Sequence, residues 1–162
     1  MTEFSHIRGD HVHMVDVSGK GEVMREATAK GRIYLRPATL KAIREGTVIK
    51  GNVLATARIA AIGAVKETSR LIPMCHPIPL GGIDVEFTEE DAWIEVSVKV
   101  RSMGRTGVEM EALTGVAMGL LTVWDMVKSA EKDEGGQYPH TRIDGIMVVE
   151  KRKEGPEGHR SD

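Results

Sequence analysis

Residues 108–131, VEMEALTGVAMGLLTVWDMVKSAE, place the tightest single constraint on the fold. Leu113, Val116/Ala117, Leu120/Leu121, Trp124 and Val127 recur at helical spacing and draw one apolar stripe along a long helix. Such a helix must lay its stripe on a second layer, and the chain offers strands for it. Trp93, Glu95, Ser97 and Lys99 alternate with Ile94, Val96, Val98 and Val100, so 82–89 and 92–101 read as a hairpin around Glu90–Asp91. Earlier, Ala27, Ala29, Gly31, Ile33 and Leu35 alternate within a strand at 22–35, and GIMVVE at 145–150 supplies a last strand. Pro37 opens a short helix over 37–45 that Gly46 stops, and Asn52 caps a longer one over 53–70. In that second helix Ala57, Ala60, Ala61, Gly63 and Ala64 are small enough for a sheet or a partner subunit to pack closely. The order predicts an α+β fold, a ferredoxin-like β-α-β-β-α-β sandwich with an additional short helix. Both long helices then share one face of the sheet, and a second subunit covers the other, with part of that cover available from the short helix.

A chain of 162 residues suits one domain, expected over 13–151 between tails at 1–12 and 152–162. The lone Cys75 excludes an intrachain disulfide framework, and no targeting-like run or stretch of roughly 20 apolar residues stands out, which points to the cytoplasm. Twenty-two basic residues against twenty-four acidic ones give a net charge of −2, and only two each of Phe, Tyr and Trp are present. That balance argues against nucleic acid as a partner, which would need a basic footprint or a ladder of stacking rings. An anionic ligand would be small and held locally.

Two segments concentrate unusual chemistry. In PMCHPIP at 73–79, Ile72, His76 and Ile78 each precede a proline and are pushed toward extended backbone. A stiff loop of this kind either presents His76 in a fixed pose or simply ends a helix. Cys75 and His76 are neighbours that point to opposite faces, so they do not form a catalytic pair, and one cysteine without a companion makes no zinc site. Cys75 reads as a half-buried hydrophobe. In SMGRTGVEMEAL at 102–113, Gly104 and Gly107 bracket Arg105 and Thr106 before a helix start, where free N–H groups can receive an anion. The pattern lacks the Walker lysine, and Thr106 with Glu109 can also close a capping box. Farther along the same helix Asp125 and Lys128 share a face. Exposed, they are an ion pair worth about 0.2–0.5 kcal/mol; partly buried, the lysine would move toward neutrality and serve as an acid or base. Lys50, Lys66 and Arg25 have no salt-bridge spacing in sequence, and the segment from Met14 to Ser18 offers no derivable chemistry.

Taken together, MVDVSGKGEVMREATAKG (14–31), KGNVLATARIAAIGAVKETSRLIPMCHPIPL (50–80), GRTGVEMEALTGVAMGLLTVWDMVK (104–128) and GIMVVEK (145–151) resemble the cyclic pyranopterin monophosphate synthase family, the C protein of molybdenum cofactor biosynthesis. The resemblance implies a ferredoxin-like subunit in a homohexamer, a trimer of dimers with sites at subunit contacts. It implies a lyase that converts 3′,8-cyclo-7,8-dihydroguanosine 5′-triphosphate to cyclic pyranopterin monophosphate and pyrophosphate. By matched motif, Lys128 resembles the general acid/base and Asp125 its partner. Lys50, Lys66, Met74, Cys75, His76, Met110 and Glu111 resemble substrate contacts. Arg105 resembles a further substrate contact; it stands where many relatives carry lysine and offers a planar fork in place of a point charge. Asn52 replaces a frequent aspartate. No cofactor or metal is implied by any cluster, although magnesium could accompany the triphosphate. The alternatives are a non-catalytic subunit that binds a nucleotide or phosphometabolite without converting it, and a purely structural hexamer.

Overall fold

The structure is a computed structural model that describes residues 7–8 and 11–155. After a two-residue antiparallel pairing of β1 (Ile7–Arg8) with β2 (His11–Val12), the fold is built from β3 (Val23–Tyr34), α1 (Pro37–Glu45), α2 (Val53–Leu71), β4 (Leu80–Glu89), β5 (Trp93–Gly104), α3 (Glu109–Glu131) and β6 (Arg142–Glu154). The four long strands form one sheet in the order β4-β5-β3-β6 with every neighbour antiparallel. This is the ferredoxin-like arrangement that the residue patterns predict, with α1 as the additional helix. β6 begins three residues earlier than the apolar run and ends at Glu154, because pairing with β3 carries its polar ends into the ladder. The expected tails at 1–12 and 152–162 therefore contain the β1–β2 pairing and the last three residues of β6, 152–154; residues 1–6, 9–10 and 156–162 lie outside the described residues.

The alternation of β5 sends Ile94, Val96, Val98 and Val100 into the core, where they meet Ala27, Ala29 and Ile33 of β3 and Val116, Leu120, Val123 and Val127 of α3, all essentially inaccessible; of the expected stripe, Leu113, Ala117 and Trp124 are only partly buried and Leu121 is 53% exposed. Glycine sets how closely the layers approach. A Cβ on Gly31 would lie 2.9 Å from Val116, Leu120 and Ile146 side-chain atoms, and one on Gly115 would lie 2.7 Å from Val65. The small residues Ala57 and Ala61 of α2 face Gly115 and Gly119 of α3, so the close approach foreshadowed by that composition is between two helices of the same chain.

α3 is long and apolar enough by length and composition to cross a membrane, and half of it is buried against the sheet and α2; it is the core helix. The helix α1 packs against α3 and does not cover the far side of the sheet. That side is lined largely by charge: Glu95 pairs with Lys30 at 3.1 Å and Arg32 at 2.9 Å, and Arg101 pairs with Asp84 at 2.8 Å. Uncovered apolar surface sits instead on the edge strand β6, where Ile146, Met147, Val148 and Val149 are all exposed.

The ends of α1 and α3 are joined by a buried carboxylate. Glu131 is inaccessible and accepts hydrogen bonds from the Thr39 hydroxyl, from the Thr141 hydroxyl at 2.6 Å and from the Arg36 backbone N–H at 3.1 Å. A carboxylate buried in this way needs such donors to offset its lost hydration.

Candidate active site

The Pro-rich segment does form a non-helical, irregular bridge between α2 and β4, as the proline restriction dictates. It makes one wall of a cavity of about 450 Å³ at the N-terminal end of α3. Met74, Cys75, His76, Met110 and Glu111 all line it. Val15, Val17 and Lys20 also line it, from a segment whose chemistry is not legible in sequence. Its conformation is held by Asp16, whose carboxylate accepts from the Ser18 N–H at 2.8 Å and the Ser18 hydroxyl at 2.6 Å. Those hydrogen bonds, with a smaller contribution from His76, hold the Asp16 pKa below its ordinary value. Lys20 sits between two glycines in a turn; only the tertiary fold brings it to the same cavity as His76.

Glu111 is 4% exposed, and burial raises its pKa, with the neighbouring Glu109 charge adding to the effect. Burial also raises the Cys75 pKa, and Glu111 contributes, so the thiol is the half-buried neutral group expected of it. Burial alone would raise Glu109 as well, but the Lys151 ammonium, its own backbone N–H and Arg25 outweigh this and hold its pKa low. A second, narrow cavity of about 70 Å³ is lined by Lys66 with His76 and Glu111, and so places Lys66 beside the first.

The expected capping box is absent. The N-cap of α3 is Val108, no side chain caps it, and Thr106 lies two residues before that cap while the Glu109 carboxylate folds back against Gly107. Glu109 is drawn away by Lys151 of β6, a partner that local sequence could not supply. Arg105 does not line the cavity. Its guanidinium donates to the Ser18 carbonyl at 3.2 Å and pairs with Glu22 at 3.8 Å, which ties the 14–22 segment to the loop before α3. Arg25 reinforces that loop by donating to the Gly104 and Arg105 carbonyls.

A second group forms at the other end of α3. Lys50 donates to both the Asp125 carboxylate and the Asp125 carbonyl at 2.9 Å, and Lys128 donates to the same carboxylate at 2.8 Å. All three side chains are about half exposed. The hydrogen bonds from Lys128 and Lys50 bring Asp125 down to about 2. Asp125 in turn raises the Lys128 pKa, so of the two readings open in sequence the exposed ion pair describes this chain: Lys128 is protonated and is not driven toward neutrality. Asn52, just after Lys50, is occupied in capping α2, its side-chain oxygen accepting from the Ala55 N–H at 2.9 Å.

The residues singled out thus fall into two groups. Met74, Cys75, His76, Met110, Glu111 and Lys66 gather at one end of α3; Lys50, Asp125 and Lys128 gather at the other. Glu111 and Lys128 are separated by seventeen residues of continuous helix, about 25 Å. Among the described residues no three His, Cys, Asp or Glu side chains converge as metal ligands would.

Comparison with known proteins matches this arrangement to one family. The sequence pattern described as the MoaC family matches residues 14–154. The probable cyclic pyranopterin monophosphate synthase of Methanoregula boonei is 68% identical over 153 residues, covering 94% of this chain and 99% of the relative. That of Methanocorpusculum labreanum is 63% identical over 97% of this chain and 100% of the relative, and that of Thermococcus onnurineus 58% over 95% and 99%. The match runs through the Pro-rich bridge, both ends of α3 and the edge strand alike, and on it the chain belongs to the MoaC family.

Proposed function

We propose that this chain is a cyclic pyranopterin monophosphate synthase, a lyase converting 3′,8-cyclo-7,8-dihydroguanosine 5′-triphosphate into cyclic pyranopterin monophosphate and pyrophosphate. The observation that carries the reading is family membership across residues 14–154, with relatives of that name alike over almost their whole lengths.

The reaction makes two demands. The base must be opened and rebuilt as a pterin, which moves protons. A sugar hydroxyl must also attack the first phosphorus, losing its proton as the new P–O bond forms and pyrophosphate departs with the electrons of the old one. Lys128 is assigned the proton transfers at the ring. Held protonated by Asp125 in the free chain, it starts as a donor, and Asp125 fixes its direction. Lys50, Lys66, His76 and Arg105 divide the neutralisation and orientation of the phosphates. Met74, Cys75 and Met110 supply apolar wall, and the Glu111 carboxyl, raised by burial, is suited to hydrogen-bond the substrate in its neutral form.

The residues given these roles do not meet within one chain, because α3 holds the two groups about 25 Å apart. The reading therefore takes the cavity of one copy and the Lys50/Asp125/Lys128 group of another, in a cytoplasmic homohexamer built as a trimer of dimers. The exposed apolar edge of β6 supports such association.

Incubating the protein with the cyclic dihydroguanosine triphosphate, while following pyrophosphate and pterin together, tests the activity. Both products should appear in equal amounts; binding without conversion would leave only a nucleotide-binding subunit. Lys128→Ala should lower turnover by about 100-fold or more, the usual scale for a lost acid–base group, with the oligomer intact. A variant that keeps substantial kcat removes Lys128 from the role.

A further inference from the structure

The loop that follows α3 is more firmly built than a connector needs to be. The Asp133 N–H donates to the Gln137 carbonyl at 2.9 Å, the Gln137 N–H donates back to the Asp133 carboxylate at 2.8 Å, and the Gly136 N–H donates to the Asp133 carbonyl at 3.0 Å. Gly136 sits at φ +76°, a conformation that favours glycine, which lets the turn close. The far end is fixed where the buried Thr141 hydroxyl donates to Glu131, itself the last residue of α3. Closed on itself at one end and bolted to the core at the other, the loop presents Tyr138.

Tyr138 meets Trp124 edge to face, with ring centroids 5.4 Å apart and planes inclined at 69°. Trp124 and Lys128 are four residues apart on α3 and share a helix face, so the Tyr138 ring stands over the same face as the Lys128 ammonium. The two side chains lie within electrostatic reach of one another. An edge-to-face contact leaves a broad face of one ring unused, and Tyr138 remains partly exposed. A tyrosine that only sealed Trp124 would need neither a self-closed loop nor a place beside the accessible Lys50/Asp125/Lys128 group.

We infer that Tyr138 is a further substrate-binding residue, the aromatic wall against which the flat heterocycle of the nucleotide lies while Lys128 reaches its edge. This rests on the assignment of Lys128 to the reacting ring. A π-face is matched by any planar base and a hydrogen-bonding ammonium by its heteroatoms, so the pair reads the base and ignores the phosphates. Stacking of a base on one aromatic side chain is worth about tenfold in affinity.

The test compares, on the intact assembly, calorimetric binding of GTP, which carries a base, with binding of inorganic tripolyphosphate, which does not. The native protein should prefer GTP. Tyr138→Ala should weaken GTP by about tenfold and leave tripolyphosphate within about twofold, while Tyr138→Phe keeps the preference. Should Tyr138→Ala lose its cooperative melt, Tyr138→Leu, which retains bulk over Trp124 without the π-system, takes its place. No preference for GTP in the native protein, an equal loss of both ligands, or a loss of neither overturns the inference. Turnover of Lys128→Ala, measured separately, decides the catalytic assignment on which it rests; a retained kcat there with a selective GTP defect in Tyr138→Ala would locate the failure in Lys128 alone.

Discussion

Glu111 and Asp125 are carboxylates on one helix pushed in opposite directions, and each shift has a consequence that can be titrated. Burial raises Glu111, so the folded chain holds its proton more tightly than the unfolded chain does. Its contribution to stability is therefore greatest below the ordinary carboxylate range and falls as pH rises from about 4.3 through the raised folded value. Glu111→Gln should remove that fall: thermal melts from pH 4 to pH 8 should show the variant gaining on the native protein as pH rises. Equal pH profiles for the two proteins would mean that the Glu111 carboxyl is solvated. Asp125 is the reverse case, lowered to about 2 by the ammonium groups of Lys128 and Lys50, so its ion pair survives until strong acid. Replacing Lys128 with alanine should lift the Asp125 titration, read by carboxyl NMR, back toward the ordinary value. An unmoved midpoint would show that Lys50 alone holds it. Neither shift could be read from sequence, because spacing on a helix says which side chains are neighbours but not how much water reaches them.

At the scale of elements, the two glycines of α3 that face α2 make opposite predictions. Alanine at 119 would meet its nearest atoms at 3.4 Å or beyond, ordinary contact, so Gly119→Ala should stabilise by about 1 kcal/mol through helix propensity. Alanine at 115 would sit 2.7 Å from Val65 and 3.1 Å from Val98 in a closed core, and overpacking of about 1–3 kcal/mol should exceed that gain. Urea denaturation of the two variants should show them moving in opposite directions; a shared direction would mean that the helices are free to separate. The elements were largely legible because their residues obey simple periods: the two-residue alternation of β5, the stripe of α3, and Pro37, Gly46 and Asn52 at helix ends. What escaped was set by distant partners. Thr106 and Glu109 have the spacing of a cap, but Glu109 is taken by Lys151 from the opposite end of the chain. Lys20 lines the cavity through a turn with no period, and Tyr138 sits in a loop whose far end is anchored by Thr141 on the buried Glu131 of α3.

For the whole molecule, the distance along α3 is the governing fact. If the cavity of one copy meets the lysine group of another, two variants crippled at opposite ends should repair one another. His76→Ala and Lys128→Ala chains, each nearly inactive alone, should regain roughly a quarter of native activity when co-assembled at equal amounts, the chance that both intact halves meet at random. Separate tags on the two chains would identify the mixed assemblies, and a mixture no better than its parts would mean that each chain completes its own site. A rigid rod of helix therefore does more than carry a core stripe. On this reading a chain fresh from the ribosome is chemically idle, and in solutions dilute enough to keep the chains apart the reaction velocity climbs as the square of protein concentration, so that catalysis begins only with encounter.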